Sequence, residues 1–151
     1  MFIDWLRSLI CPPCPQEPTM PILTSRQRIT CSELQDIIKV IAPEAEMFLS
    51  DKTYTLCNKD DIFNFLVYDR TDRIEYEAEV MDCDDFSYRL MGNISIPPWS
   101  DLAFGIVWTN LHALNCYIGE DKKLHYVEPQ ADTIQTGLLN WQGDKIRLIV
   151  L

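Results

Sequence analysis

Two halves of this chain carry different residue periodicities, and that division limits the fold more than any other feature. The first half shows helix starts. Thr30-Cys-Ser-Glu33 is a capping box, with Ser32 to Gln35 as a second possible register, and it opens a helix through Ile41 that Pro43 stops. Asn58 caps a second helix, Asp60 to about Tyr68, whose apolar face holds Ile62, Phe63, Phe65 and Leu66. A third runs from about Cys83 to Leu90, with Gly92 as its C-terminal stop. The second half reads as strands: Leu102 to Trp108, His112 to Ile118, Lys123 to Val127 and Lys145 to Leu151, with a turn at Gly119-Glu-Asp-Lys122. Helices followed by strands give an α+β class, N-terminal helices packed on a C-terminal antiparallel sheet.

The N-terminus stands apart. Phe2, Trp5, Leu6, Leu9 and Ile10 share one helical face, and five prolines between 12 and 21 form a stiff extended arm. The expected organisation is an amphipathic segment and linker over 1–21 and a domain over 22–151. Residues 1–10 are expected to dock on a protein assembly or a membrane surface. With 151 residues, 47% of them apolar, the chain can bury one real core. No secretory signal precedes the domain, because Phe2 to Ile10 is short and carries Asp4 and Arg7. A soluble cytoplasmic or virion-associated protein with reduced thiols is expected.

Net charge is −10, so the basic footprint of a nucleic-acid binder is missing. The charge is concentrated. Residues 44–85 hold 13 Asp+Glu against four Lys+Arg, nine of the ten net negatives. Such a segment is either a solvated acidic face or a hard-cation site, since Ca²⁺ takes clustered carboxylates. Its densest point, Asp82-Cys-Asp-Asp85, places Asp82, Asp84 and Asp85 as candidate metal ligands.

Six cysteines occur, and Cys83 is the chemically suggestive one, because a helix start favours the thiolate. Its flanking carboxylates oppose that unless a cation neutralises them. The alternative is a small buried thiol. A nucleophilic thiol needs an imidazole and a group to orient it. A three-residue loop at Gly119 sets His112 opposite Glu128, whereas a four-residue loop sets it opposite Pro129. Neither register gives His125 a carboxylate, so His112 is the candidate base and Glu128 its orienter. Pro129 ends the strand, and Gln130 can then turn its amide into the site.

Asp82-Cys-Asp-Asp-Phe86, Gly105-Ile-Val-Trp108, His112-Ala-Leu-Asn115 and Glu128-Pro-Gln130 together resemble the papain-like C-terminal protease domain of fungal ring-galactose-binding agglutinins and its small phage and bacterial relatives. The Asp-Cys-Asp-Asp box is also similar to that of bacterial transglutaminase-like cysteine proteases. The resemblance implies a papain-like or transglutaminase-like fold and a calcium-dependent thiol hydrolase acting on a peptide or protein. In that reading Cys83, His112, Glu128 and Gln130 are catalytic, Tyr76 and Trp108 touch substrate, and Asp82, Asp84 and Asp85 hold Ca²⁺. The other reading is a catalytically silent binding or structural module, such as a phage virion component.

Overall fold

The structure is a computed structural model and describes residues 18–138 and 144–151. In chain order its elements are β1 (Arg28–Thr30), α1 (Cys31–Ile41), β2 (Glu46–Phe48), β3 (Thr53–Thr55), α2 (Lys59–Tyr68), a 3₁₀ turn (Thr71–Arg73), α3 (Cys83–Ile94), β4 (Phe104–Thr109), β5 (Ala113–Ile118), β6 (Leu124–Glu128), β7 (Thr133–Gln135) and β8 (Ile146–Val150). Six strands make one sheet in the order β2-β8-β4-β5-β6-β7, and β1 pairs with β3 apart from it. The class is α+β. The sheet is antiparallel except where β2 runs parallel to β8.

Local chemistry accounts for the helix starts. The Thr30 hydroxyl accepts from the Glu33 N–H, and the Glu33 carboxylate accepts from the Thr30 N–H, so the first of the two registers forms. The Asn58 side chain accepts from the Asp60 N–H at 2.9 Å. Two expectations about these helices need correction. Phe63 is 54% exposed, because Ile62, Phe65 and Leu66 occupy the buried stripe and Phe63 lies a third of a turn off it. Helix α3 continues through Gly92 to Ile94, capped at Ser95. Gly92 does not adopt the left-handed conformation that would end the helix; Ile96, ahead of Pro97, is the residue disfavoured in it.

The sheet has cover on both faces. Leu34 and Ile38 of α1 pack with Val107, Leu114, Cys116 and Ile149 on one side. On the other, Ile62, Phe65, Leu90 and Ile94 of α2 and α3 pack with Trp99, Phe104, Tyr117 and Val127. The strands at 28–30, 46–48, 53–55 and 133–135 were not expected from sequence. Each has only three residues, too few to show an alternation, and each forms by pairing with a distant or later segment. Asp61 is also not part of a solvated acidic face. It is 3% exposed and accepts four hydrogen bonds of 2.7–2.8 Å from the backbone and hydroxyls of Thr24 and Ser25. The amphipathic segment 1–10 and its expected docking lie outside the described residues. No helix among the described residues is long and apolar enough to cross a membrane.

Candidate functional site

Helix α3 is set against the sheet by one buried amide. Asn115 of β5 is fully buried and donates to the Ser87 carbonyl at 2.9 Å and the Gly105 carbonyl at 3.1 Å. That bridge ties the helix to the strand that leads to His112. The helix start is built by Asp82, whose N–H donates to the Asp85 carboxylate at 3.2 Å in a second capping box. Asp85 therefore serves the helix start. The group that could hold a metal is Asp82, Cys83 and Asp84, whose ligand atoms lie within 4.8 Å of one another. Hydrogen bonding from Asp84 draws the Asp82 carboxyl below its usual range, and hydrogen bonding from Asp82 pushes that of Asp84 up.

A turn between β4 and β5 presents His112. The Thr109 hydroxyl organises it, donating to the His112 carbonyl at 3.0 Å and accepting from the His112 N–H at 2.9 Å. His112 Nε2 lies 2.8 Å from the Glu128 carboxylate, with both side chains largely shielded from water. The expected partner is thus right, but the expected register is not. Ile118 pairs with Leu124, so residues 119–123 form the connection and neither the three- nor the four-residue loop occurs. Continuing this register puts Glu128 beside Leu114, two positions from His112. A slip of two residues keeps both side chains on one face, and the diagonal is short enough for them to meet.

Cys83, Asp84, Trp108 and His112 line one open cleft of about 200 Å³, together with the turn residues 109–111, Ala113 and Arg147. Gln130 contributes through its backbone, which donates to the Glu128 carboxylate at 3.4 Å, so the other Glu128 oxygen is held as well. Tyr76 is 56% exposed and does not line the cleft. Trp108 lies edge-on to Tyr88 at 5.6 Å, which fixes its ring. The arrangement places a thiol at a helix N-terminus on the same cleft as an imidazole that a carboxylate orients, with one aromatic wall. Such a set can bind polar groups.

His125 differs from expectation. Its Nε2 lies 3.0 Å from the Asp121 carboxylate, and its ring stacks on Tyr117 at 4.8 Å. The longer loop brings Asp121 back over the strand. Gly119 makes room for this, since a Cβ there would stand 2.6 Å from Asp121 and 3.0 Å from the imidazole. Sequence reading missed Arg147 as a site residue. In a regular strand it would face away from its neighbours, and only a register shift opposite Trp108 and Thr109 brings it to the cleft.

No family model matches the chain, and no curated protein matches it at a significant level. Solved structures do. The PSL1a–E64 complex superposes with a TM-score of 0.72 at 18% identity, over 84% of this chain and 52% of that one. The Polyporus squamosus lectin bound to the human-type influenza-binding epitope Neu5Acα2-6Galβ1-4GlcNAc superposes at 0.69 and 17% identity, over 84% and 50%. The chain spans about half the length of these structures. At such identity the likeness is one of fold. These neighbours correct the expected family: they are known as a lectin, so the chain is not assigned to the papain-like or transglutaminase-like cysteine proteases. Cysteine peptidase, hydrolase and phage protein give way with it.

Proposed function

We propose that the chain is a ligand-binding module whose ligand seats in the cleft between the start of α3 and the end of β4. The observation that carries this is the convergence there of one aromatic wall, Trp108, with the Cys83 thiol, the Asp84 carboxylate, the His112 imidazole and the Arg147 guanidinium. An apolar face ringed by a few oriented polar groups is what small ligand sites have in common. The occurrence of the fold in a lectin supports binding over turnover. In this reading His112 and Cys83 contact the ligand, Glu128 holds the imidazole, and Gln130 holds Glu128.

Trp108→Ala is expected to weaken binding about 10- to 100-fold, as loss of a central aromatic anchor does. Calorimetry can measure this with Neu5Acα2-6Galβ1-4GlcNAc and with members of a random peptide library as ligands. Turnover of a peptide that Cys83→Ala abolishes would overturn the binding reading in favour of chemistry at the thiol.

The proposal extends to a divalent cation on Asp82 and Asp84. Two carboxylates supply part of the oxygen shell of Ca²⁺, and a cation there would offset the repulsion between them. The thiol between them adds a soft donor that Ca²⁺ does not favour and Zn²⁺ does. Titration with Ca²⁺ is expected to release heat and raise the melting temperature. Millimolar Ca²⁺ that does neither removes the site.

A further inference from the structure

Among the described residues, helix α3 packs chiefly on β4 and β5, and no helix packs closely on the β8 and β2 end of the same sheet face. Register places two rows of side chains there. Glu46, Leu148 and Trp108 stand side by side across β2, β8 and β4, and Phe48, Val150 and Ile106 form the next row. With Tyr88 and Met91 of α3 as the opposite wall, this face makes a groove of about 670 Å³. Trp108 and Arg147 belong to both this groove and the Cys83 cleft, so the two adjoin.

Arg147 is what gives the groove direction. Trp108 pairs with Leu148 and Thr109 with Ile146, so Arg147 is the extra residue of a β-bulge. The bulge turns its side chain to the groove side, and its Nε donates to the Thr109 carbonyl at 3.1 Å. That bond anchors the stem and leaves the terminal nitrogens of the guanidinium for a ligand. Glu46 marks the other end of the first row. The groove therefore has an aliphatic and aromatic floor with a positive group at the cleft end and a negative group at the far end.

We propose that this groove is the extension of the ligand site and takes a polypeptide segment, with a bulky apolar side chain on the floor and an acidic residue facing Arg147. The inference rests on the reading of the Cys83 cleft as a ligand site. Three observations favour polypeptide over glycan. The floor offers Leu148 and Val150, with Met91 on the facing wall, and these would strip water from sugar hydroxyls without replacing their hydrogen bonds. Trp, Tyr, Met and Arg side chains together are the composition of protein-binding surfaces. The opposed charges of Arg147 and Glu46 match a chain that is acidic at one end of its anchor and neutral or basic at the other.

A random peptide library displayed on phage and selected on the intact protein tests this, with fluorescence polarisation on the enriched peptides. Enriched sequences are expected to share a Leu, Ile, Phe or Met beside an Asp or Glu. Leu148→Gln is expected to weaken them about ten-fold. Tyr88→Ala, at an exposed helix position, gives the same readout without risk to the strand. Arg147→Glu is expected to turn the acidic preference to Lys or Arg. If peptides bind and depend on Trp108 and Arg147 but not on Leu148 or Tyr88, the groove is not the site and the cleft reading stands. If no peptide is enriched while Neu5Acα2-6Galβ1-4GlcNAc binds, the polypeptide is wrong and the binding module stands. If neither binds, both fall.

Discussion

Gly105→Ala is expected to yield little or no folded protein. Gly105 lies in β4, between β8 and β5, and pairs with Cys116. A Cβ at this position would stand 1.9 Å from the Val150 carbonyl oxygen and 2.8 Å from Leu151 Cδ2. The first atom is backbone in a paired strand, so it cannot step aside as a side-chain tip would. Ordinary overpacking costs about 1–3 kcal/mol, and a clash with backbone belongs to the rarer losses above about 4 kcal/mol. The damage also reaches the site. The Gly105 carbonyl accepts from Asn115, the residue that ties α3 and hence Cys83 to the sheet. Soluble yield, near-ultraviolet circular dichroism and thermal melting measure the effect. A melting temperature within a few degrees of the parent would mean that β8 can move away and that the close approach is not a structural requirement.

Asp61→Ala is expected to be the next most costly change, at roughly 3 kcal/mol, with a melting temperature lower by about 6–12 degrees. The carboxylate accepts from both backbone N–H groups and both hydroxyls of Thr24 and Ser25. Removal leaves those donors without their acceptor, and Ser25 is only 2% exposed. The Ser25 hydroxyl also accepts from the Asn58 N–H at the start of α2, so loss of the tether reaches the helix cap. Asp61→Asn is expected to recover little, because its amide turns two hydrogens toward a site made of donors. Burial pushes the Asp61 carboxyl up, but the bonds from Ser25 and Thr24 outweigh burial and hold it below the ordinary carboxylate range. With the folded value below the unfolded one, the contribution is present above the unfolded value. It is lost as the pH falls through the folded one. Melting curves of parent and Asp61→Ala should therefore converge in strong acid. Curves that stay parallel down to pH 2 would show that the charge of Asp61 does not supply the stability.

Much of the candidate site was legible because it depends on local rules. The caps at Thr30 and Asn58 and the position of Cys83 at a helix start follow from side chains within three residues of one another. The His112–Glu128 pair is longer in range but rests on parity. Any loop that keeps an even slip puts the two on one face, so the pairing survived a register that was wrong by two residues. The same longer loop supplied His125 with Asp121, which no count of paired positions could show.

The sequence by itself determined the α+β order, the helix starts, the strand-forming second half and the candidate thiol, imidazole and carboxylate, since periodicity and capping act between near neighbours. Only the tertiary structure decided the parallel pairing of Glu46–Phe48 with β8, the closeness of Gly105 to Val150, the tether from Asp61 to Thr24 and Ser25, and the bulge that turns Arg147 toward the cleft. Each of these joins segments distant in the chain. Their distances are set by how layers stack and how strands slip, and three-residue strands and single bulges leave no periodic signature along the chain.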